Sequence, residues 1–336
     1  MSLTEPWVGL ALAAAVPLAL AVDRLWGEPP SAVHPVVWMG RYLALTGHRL
    51  APREGEGTDP EGRRDLPRLL GGALLWCGGA ALCAGLAVGL QAWAAQQPVW
   101  LAALVLGLAL KPLLAWRLLG DEVQAVEDAL ADSLPAGRAR LAWLVSRDVS
   151  QLGPHQVRES AIESLAENLN DSVVAPLFWF AVAGLPGAAL YRFANTADAM
   201  WGYPGWRGGP GRRHYWAWAG KWAARADDVL SWVPARLTAL LLALPARLPW
   251  RSLRTEAGKT PSPNSGWPMA AMALRLGVRL GKPGAYVLNP QAPSPGPLHT
   301  QRALAWAGSA VAWATALSGG ALALAAAWPG SVGGGA

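Results

Sequence analysis

The sequence predicts an all-α integral membrane protein with several membrane-spanning helices. Its composition supports this, because 53% of the 336 residues are hydrophobic and only 15% are charged, whereas about 25% of an average soluble domain is charged. The apolar residues also cluster in runs close to the roughly 20 residues that a helix needs to cross the hydrocarbon core. We therefore expect one membrane domain over residues 1–336, with polar helices in the cytoplasm and some broken or re-entrant segments.

Four apolar runs are predicted to span the membrane. They lie near residues 7–22, 69–96, 99–119 and 303–328. The first run resembles a signal peptide, but Glu5 and the lack of Lys or Arg before it indicate that it is retained as an anchor. Lys111 interrupts the third run, and a lysine at such a position usually snorkels or ends the span early.

Two further apolar segments, near residues 173–191 and 229–250, contain prolines and, in the first, glycines. If both crossed the bilayer, the basic segment 192–228 would face the outside, against the positive-inside rule. We therefore expect them to be broken or re-entrant segments that return the chain to the side from which it came.

The arginines predict the orientation. Seven of them lie within residues 23–68, whereas none precedes the first span or lies at residues 96–98. The positive-inside rule therefore places residues 23–68 and 120–171 in the cytoplasm, with the segments 53–64 and 205–215 on the same side. Basic loops beside spans explain the net charge of +6, so no nucleic-acid partner is inferred.

The most informative block is the polar segment 158–171, which directly precedes an apolar run. At about 100° per residue, Glu163, Glu167 and Asn170 share one face of a helix. Carboxylate oxygens four residues apart suit Mg²⁺, and Mg²⁺ usually accompanies a nucleotide phosphate. The alternative is a solvent-exposed helix face with a salt bridge from Arg158.

Other polar blocks are predicted to lie on the same side of the membrane and to form one active site with this helix. Arg147 can clamp a phosphate beside Asp148, and residues 263–268 form a turn with free backbone N–H groups. The other blocks are residues 23–41, 195–200 and 224–228. The chain contains no P-loop, zincin or nucleophile-elbow motif, which excludes ordinary P-loop ATPases, zincins and α/β-hydrolases.

These blocks, in this order, resemble the CobD/CbiB family of cobalamin biosynthesis, the adenosylcobinamide-phosphate synthases. The resemblance extends from Asp23 to about Asn289. The motifs that carry it include Gly27-Glu28-Pro29, His34-Pro35-Val36, Ser146-Arg147-Asp148, Glu163-Ser164-Leu165-Ala166-Glu167-Asn168, Asn195-Thr196, Asp227-Asp228 and Pro263-Asn264-Ser265-Gly266-Trp267-Pro268.

The resemblance implies a multi-pass enzyme of the cell membrane, a carbon–nitrogen ligase that uses ATP and Mg²⁺. Its expected reaction joins aminopropanol, or the O-phosphate of aminopropanol, to the free propionate of adenosylcobyric acid. The expected partners are these substrates, the lipid bilayer and other late enzymes of the cobalamin pathway. A regulatory or sensor relative and a membrane transporter remain alternatives, although the turn at residues 263–268 favours the synthase.

Within this reaction we predict a role for each polar residue, with the active site on the cytoplasmic face. The predicted Mg²⁺ ligands are Asp148, Glu163, Glu167 and Asp171. Arg147 and Arg225 are expected to neutralise developing charge, while Asp198, Asp227 or Asp228 would orient the ammonium and accept its proton. The predicted substrate-binding residues are His34, Trp38, Asn168, Asn195, Asn264, Ser265 and Trp267. Trp26 and Trp179 are also expected to contact the corrinoid ring.

Overall fold

A computed structural model describes residues 6–55, 64–209 and 213–328 and confirms the all-α prediction. Two short β-hairpins accompany the helices in the described residues. The helices are α1 (Pro6–Trp26), α2 (Pro35–Leu50), α3 (Leu66–Ala94), α4 (Val99–Leu110), α5 (Trp116–Asp132), α6 (Leu134–Leu141), α7 (Pro154–Leu169), α8 (Ala175–Trp201), α9 (Lys221–Leu230), α10 (Trp232–Ala243), α11 (Trp250–Ala257), α12 (Gly266–Leu276) and α13 (Pro297–Ala327). The strands are β1 (Trp206–Arg207), β2 (His214–Tyr215), β3 (Leu280–Lys282) and β4 (Tyr286–Leu288).

The four predicted spans match four of the candidate spans in the structure, and a fifth candidate, Pro154–Trp201, contains the segment that was predicted to be broken or re-entrant. Within the described ranges, five segments are long and apolar enough to cross a membrane: Trp7–Trp26, Leu66–Ala94, Val99–Asp132, Pro154–Trp201 and Pro297–Ala327. The helix α1 packs along α4 and α13 through buried Ala15, Val16 and Ala19. Its retention as an anchor stays a prediction.

The helix α4 ends just before Lys111, whereas the candidate span Val99–Asp132 continues through this residue. The helix stops at Leu110 and a 3₁₀ turn follows at Lys111–Leu113. The side chain of Lys111 does not snorkel to the surface, because it is buried and its Nζ lies 3.1 Å from Asp23 Oδ1 and 3.0 Å from Glu28 Oε1. A charge within the apolar bundle is thus neutralised by two carboxylates.

The segment near residues 173–191 is a helical hairpin broken at its apex, and its re-entry into the membrane stays a prediction. Regular geometry breaks at Ala183 and Gly184, and Arg192 Nη1 donates to Asp171 O at 3.3 Å and to Ser172 Oγ at 3.2 Å. A straight helix would separate residues 20 apart by about 30 Å. The two arms of α8 are therefore antiparallel, and both ends of the hairpin lie at the same face of the protein.

The second segment, near residues 229–250, is broken, as predicted. The helices α9 and α10 meet at Ser231 with a bend of 47°, and a 3₁₀ turn at Leu244–Ala246 ends α10. Tyr191 and Ser231 share a hydrogen bond of 3.0 Å between their hydroxyl oxygens. This bond fixes the bend against the second arm of α8.

Loops that the sequence placed on one side of the membrane do meet. Glu54 N donates to Arg213 O at 3.0 Å, and Arg207 Nη1 donates to Ser146 O at 3.0 Å. The loops after α2, α6 and α8 therefore lie at one face of the helix bundle. The described residues 53–55 thus lie at this face, residues 56–63 lie outside the described residues, and the side of the membrane stays a prediction.

Candidate active site

The acidic face of α7 lies inside the protein. Glu159 and Glu163 are only 2% and 4% exposed, and residues 159–166 are all buried. The alternative of a solvent-exposed helix face is therefore wrong. Buried carboxylates are costly unless a partner or a ligand compensates them, so their surroundings determine what the site can bind.

Arg158, the residue of the alternative salt bridge, fixes α7 in the bundle. Its guanidinium donates to Glu127 of α5 at 2.8–3.0 Å, and Thr300 of α13 donates to the same carboxylate at 2.8 Å. One buried carboxylate thus joins three helices. This network holds the acidic face in place.

Glu163 and Glu167 line a polar pocket of about 180 Å³. Arg147, from the loop before α7, enters it: its Nη2 donates to Ser160 Oγ and lies 3.7 Å from Glu163 Oε2. The pocket combines carboxylates, cations, hydroxyls and an amide. Its polar lining residues are Ser146, Arg147, Ser160, Glu163, Ser164, Glu167, Asn168, Lys282 and Tyr286.

Two atoms at this pocket lack hydrogen-bond partners among the described residues. They are Arg147 Nε and Glu163 Oε1, both buried. A buried polar atom without a partner costs about 1–3 kcal/mol, so the polar pocket is better satisfied when a ligand fills it. The predictions for Arg147, Glu163 and Glu167 therefore agree with the geometry, and Asn168 also lines the pocket.

Lys282 and Tyr286 also line the polar pocket. Neither was predicted to be a site residue. They lie on the hairpin of β3 and β4, and the Lys-Pro-Gly turn between flanking apolar residues is the signal that predicts such a hairpin. Burial raises the pKa of Tyr286, and the carboxylates of Glu163 and Glu167 raise it further. Its hydroxyl therefore remains a hydrogen-bond donor throughout the physiological pH range.

A second group of carboxylates, which we call the acid cluster, consists of Asp171, Asp198 and Asp227. Asn170 Nδ2 donates to Asp171 Oδ1 at 2.8 Å, and Asn195 Nδ2 lies 3.5 Å from Asp227 Oδ1. The three carboxylates lie within electrostatic range of one another. The structure therefore brings together the predicted residues of α8 and α9.

Glu167 lies between the polar pocket and the acid cluster. Glu167 lies within electrostatic range of Glu163 on one side and of Asp171 and Asp198 on the other. Asp171 lies in a π-helical turn, Asn170–Val174, and such turns are frequent at functional sites. The predicted convergence of the acidic helix with residues 195–200 and 224–228 is therefore present in the fold.

Asp148 and Arg225 do not take the positions that the predictions require. The Asp148 side chain is exposed and accepts from Ser150 N at 2.8 Å and from Ser150 Oγ at 3.1 Å, and these bonds lower its pKa. It does not line the polar pocket. Arg225 is an exposed side chain whose Nη1 lies 3.8 Å from Asp228 Oδ2 at the rim of the acid cluster. The prediction for Asp148 was wrong because it assumed that Asp148 lies beside Arg147 in the site. Neighbouring side chains of a loop point in different directions.

His34 and Trp38 lie outside the polar pocket. His34 caps α2 by accepting from Val36 N at 3.2 Å, and its Nε2 lies 3.0 Å from Glu28 Oε2. Trp38 lines a separate apolar cavity of about 500 Å³ between α2, α3 and α8, and Trp26 lines a neighbouring one. Neither His34 nor Trp38 therefore contacts a ligand in the polar pocket, although Glu28, the partner of His34, lies within electrostatic range of Arg192.

The turn at residues 263–268 lies beside the acid cluster, because its Asn264 side chain bonds to the backbone of Asp228, next to Asp227. Asn264 is buried, donates from Nδ2 to Asp228 O at 2.8 Å and accepts from Arg236 Nη1 at 2.8 Å. Ser265 N donates to Ser262 Oγ at 3.2 Å at the start of α12. These bonds give both residues a positioning role, and substrate contact by them stays a prediction.

Trp267 and Trp179 lie near this turn but face different partners. Trp267 packs on Trp250, with ring centroids 4.7 Å apart, and lines an apolar surface groove with Phe178 and Trp232. Trp179 Nε1 donates to Leu230 O at 3.0 Å. The four tryptophans expected around one corrinoid ring are therefore not at one place.

The carboxylates fit Mg²⁺ only together with a ligand. Among the described residues no three His, Cys, Asp or Glu side chains are close enough to hold a metal ion between them. Mg²⁺ is usually bound by one or two carboxylates plus substrate phosphates and water. Glu163 and Glu167, which line the same pocket, match this donor set.

The fold and this site define a multi-pass helical membrane protein with a buried, charged pocket beside the loops of one face. The comparisons with known proteins identify its family. The CobD/CbiB protein family matches residues 16–316, so the chain belongs to the CobD/CbiB family and takes part in cobalamin biosynthesis.

Individual relatives support the same assignment. The chain is 43% identical to the cobalamin biosynthesis protein CobD of Chromobacterium violaceum over 274 residues, which cover 81% of this chain and 82% of that protein. It is 37% identical to the protein of that name from Rhodobacter capsulatus over 323 residues, 91% of this chain and 96% of that protein. A probable CobD of Methanothermobacter thermautotrophicus is 38% identical over 283 residues, 81% of this chain and 85% of that protein. No solved structure matches the chain.

Proposed function

We propose that this protein joins aminopropanol, or its O-phosphate, to the free propionate of adenosylcobyric acid in an ATP-dependent reaction that yields adenosylcobinamide or its phosphate. The observation that carries the proposal is the polar pocket with the acid cluster within electrostatic range of its Glu167. It offers cations for phosphate oxygens and carboxylates for an ammonium. An amide-forming ligase needs both.

The chemistry explains why ATP is required. A carboxylate repels an attacking amine, and its oxygen is a poor leaving group. In the proposed reaction a propionate oxygen attacks the γ-phosphorus of ATP and ADP leaves. The amine nitrogen then attacks the acyl carbon of the acyl phosphate, inorganic phosphate leaves with that oxygen, and the nitrogen loses a proton.

The residues of the site suit these needs. Glu163 and Glu167 would hold Mg²⁺, which supplies charge neutralisation for the ATP phosphates, and Arg147 would stabilise the charge of the transferred phosphoryl group. Asp198 and Asp227 would orient the ammonium and accept its proton. Asp228 and Arg225 lie at the rim, where a larger substrate would enter.

The site is proposed to face the cytoplasm, where ATP is available. The polar pocket lies beside the loop 142–153, which contacts the segment 205–209 through Arg207 and Ser146. The positive-inside rule assigns these basic loops to the cytoplasm. The corrinoid would reach the site from that side.

An isotope experiment tests the reaction. Purified protein in lipid nanodiscs is incubated with ATP, Mg²⁺, each amine and adenosylcobyric acid that carries ¹⁸O in the free carboxylate. We expect an amide product by mass and ¹⁸O in inorganic phosphate. Labelled AMP would show adenylylation instead, and a product formed without label in phosphate or AMP would refute direct activation by ATP. A transporter or sensor would form no amide at all.

A further inference from the structure

The polar pocket contains a cation that no sequence motif indicated. Lys282 lines it together with Arg147, and its charge lies within electrostatic range of both Glu163 and Glu167. No ion pair within 4 Å joins Lys282 to a described carboxylate. The ammonium is therefore close to the buried acids without being bound by one of them.

The hairpin that carries Lys282 is anchored to the acidic helix. Arg279, just before β3, donates from Nη2 to Glu159 Oε1 at 3.1 Å. At the end of β4, Asn289 N donates to Glu256 Oε2 at 2.6 Å. Because both ends are fixed, the backbone holds residue 282 at the mouth of the polar pocket, where the Lys282 side chain is exposed.

The size of the polar pocket limits its occupant. Its volume of about 180 Å³ is below the roughly 300–1,000 Å³ of sites for drug-sized molecules. A phosphate group with a short substituent fits this space, whereas a corrinoid does not. Two cations and several hydroxyls form a suitable environment for phosphate oxygens.

We propose that the polar pocket holds a phosphate group between Arg147 and Lys282, and that Lys282 is a phosphate-contacting residue. For the source of the phosphate this inference rests on the proposed function, which supplies two candidates: the terminal phosphates of ATP and the phosphate of an O-phosphorylated amine. Both present the same oxyanion. They differ in the cation that accompanies it.

That cation is needed because of Glu163 and Glu167. Two carboxylates in the same pocket repel a phosphate unless positive charge comes with it. For a polyphosphate the accompanying charge is Mg²⁺, and for an aminoalkyl phosphate it is the ammonium of the same molecule. Binding of tripolyphosphate should therefore depend on Mg²⁺, and phosphoethanolamine should bind better than ethyl phosphate.

Calorimetric titration of the purified full-length protein tests the proposal. The probes are magnesium tripolyphosphate and phosphoethanolamine, with the variants Lys282→Met, Lys282→Arg and, as matched control, Lys221→Met. Lys221 is an exposed lysine whose Nζ lies 4.1 Å from the Trp218 ring and does not line the polar pocket. We expect Lys282→Met to weaken binding of one probe at least tenfold, Lys282→Arg to restore it to within a few-fold, and Lys221→Met to leave it unchanged.

The outcomes separate this inference from the proposed function. If the wild type binds neither probe, or if Lys282→Met binds both as the wild type does, the role of Lys282 is refuted, whether or not amide is formed. If the expected pattern appears but no amide is formed with any amine, the phosphate site stands and the proposed function falls. The probe that loses affinity identifies the source of the phosphate.

Discussion

Replacing Gly184 by Ala should destabilise the protein strongly. Gly184 forms the apex of the α8 hairpin with φ 64° and ψ −156°, a region that is essentially restricted to glycine. A Cβ added there would lie 2.3 Å from Gln91 Oε1. That oxygen accepts a hydrogen bond of 2.7 Å from Leu185 N, so the methyl group also displaces a buried acceptor.

The magnitude follows from these two effects. A residue held in a sparsely populated backbone region costs about 1–3 kcal/mol. A buried N–H group that loses its acceptor costs about 1–3 kcal/mol more. We therefore expect Gly184→Ala to lower the free energy of unfolding by about 2–6 kcal/mol, a large share of the about 5–15 kcal/mol typical of folded proteins.

Equilibrium unfolding in mixed micelles measures this difference. Gly85→Ala is the matched control, because Gly85 lies within α3 and no atom lies within 4 Å of its added Cβ. Alanine at Gly85 should be neutral or stabilising by up to about 1 kcal/mol. Equal stability of the two variants would refute the hairpin geometry. The double variant Gln91→Ala, Gly184→Ala should remove the clash and retain the backbone strain.

Two further predictions concern the site and the topology. Glu163→Gln and Glu167→Gln should each lower amide formation by orders of magnitude at limiting Mg²⁺, while the melting temperature stays the same or rises. Normal turnover would contradict the assignment of these residues as Mg²⁺ ligands. A residue that forms only an exposed salt bridge would have almost no effect, because such a bridge is worth only about 0–1 kcal/mol. The topology is tested with single cysteines in a background that lacks the two native cysteines. Cysteines at Ser150 and Gly209 should react with an impermeant maleimide from one side of the membrane, and a cysteine at Gln96 should react from the other side. Any other labelling pattern would contradict the fold.

The positions of the spans and breaks could be predicted because local sequence determines them. Apolar runs specify helices that cross the bilayer, α4 ends just before Lys111, and Gly184 permits the reversal within α8. The acidic face of α7 was also visible, since helical periodicity alone places Glu163 and Glu167 together. These features depend on neighbours within a few residues.

The complete site could not be predicted, because distant segments complete it. Lys282 lies more than 100 residues after Glu163, and only the anchoring of its hairpin through Arg279 and Glu159 brings it to the polar pocket. Asp148 shows the opposite error, in which a residue was wrongly assigned to the site. It is adjacent to Arg147 in sequence, but its carboxylate accepts a hydrogen bond from Ser150 N. His34 was grouped with the site because it lies in a polar block, whereas its bonds hold Glu28 and the start of α2.

The balance of charge explains why such a site remains incomplete without substrates. The carboxylates of the polar pocket and acid cluster are Glu163, Glu167, Asp171, Asp198 and Asp227, and the nearby cations are Arg147, Arg192 and Lys282. An excess of buried negative charge is destabilising. It therefore opposes folding of the empty protein and favours any ligand that brings positive charge, such as Mg²⁺ or an ammonium. Neutralising one of these acids relieves the repulsion and removes a ligand contact at the same time, so stability and activity should change in opposite directions.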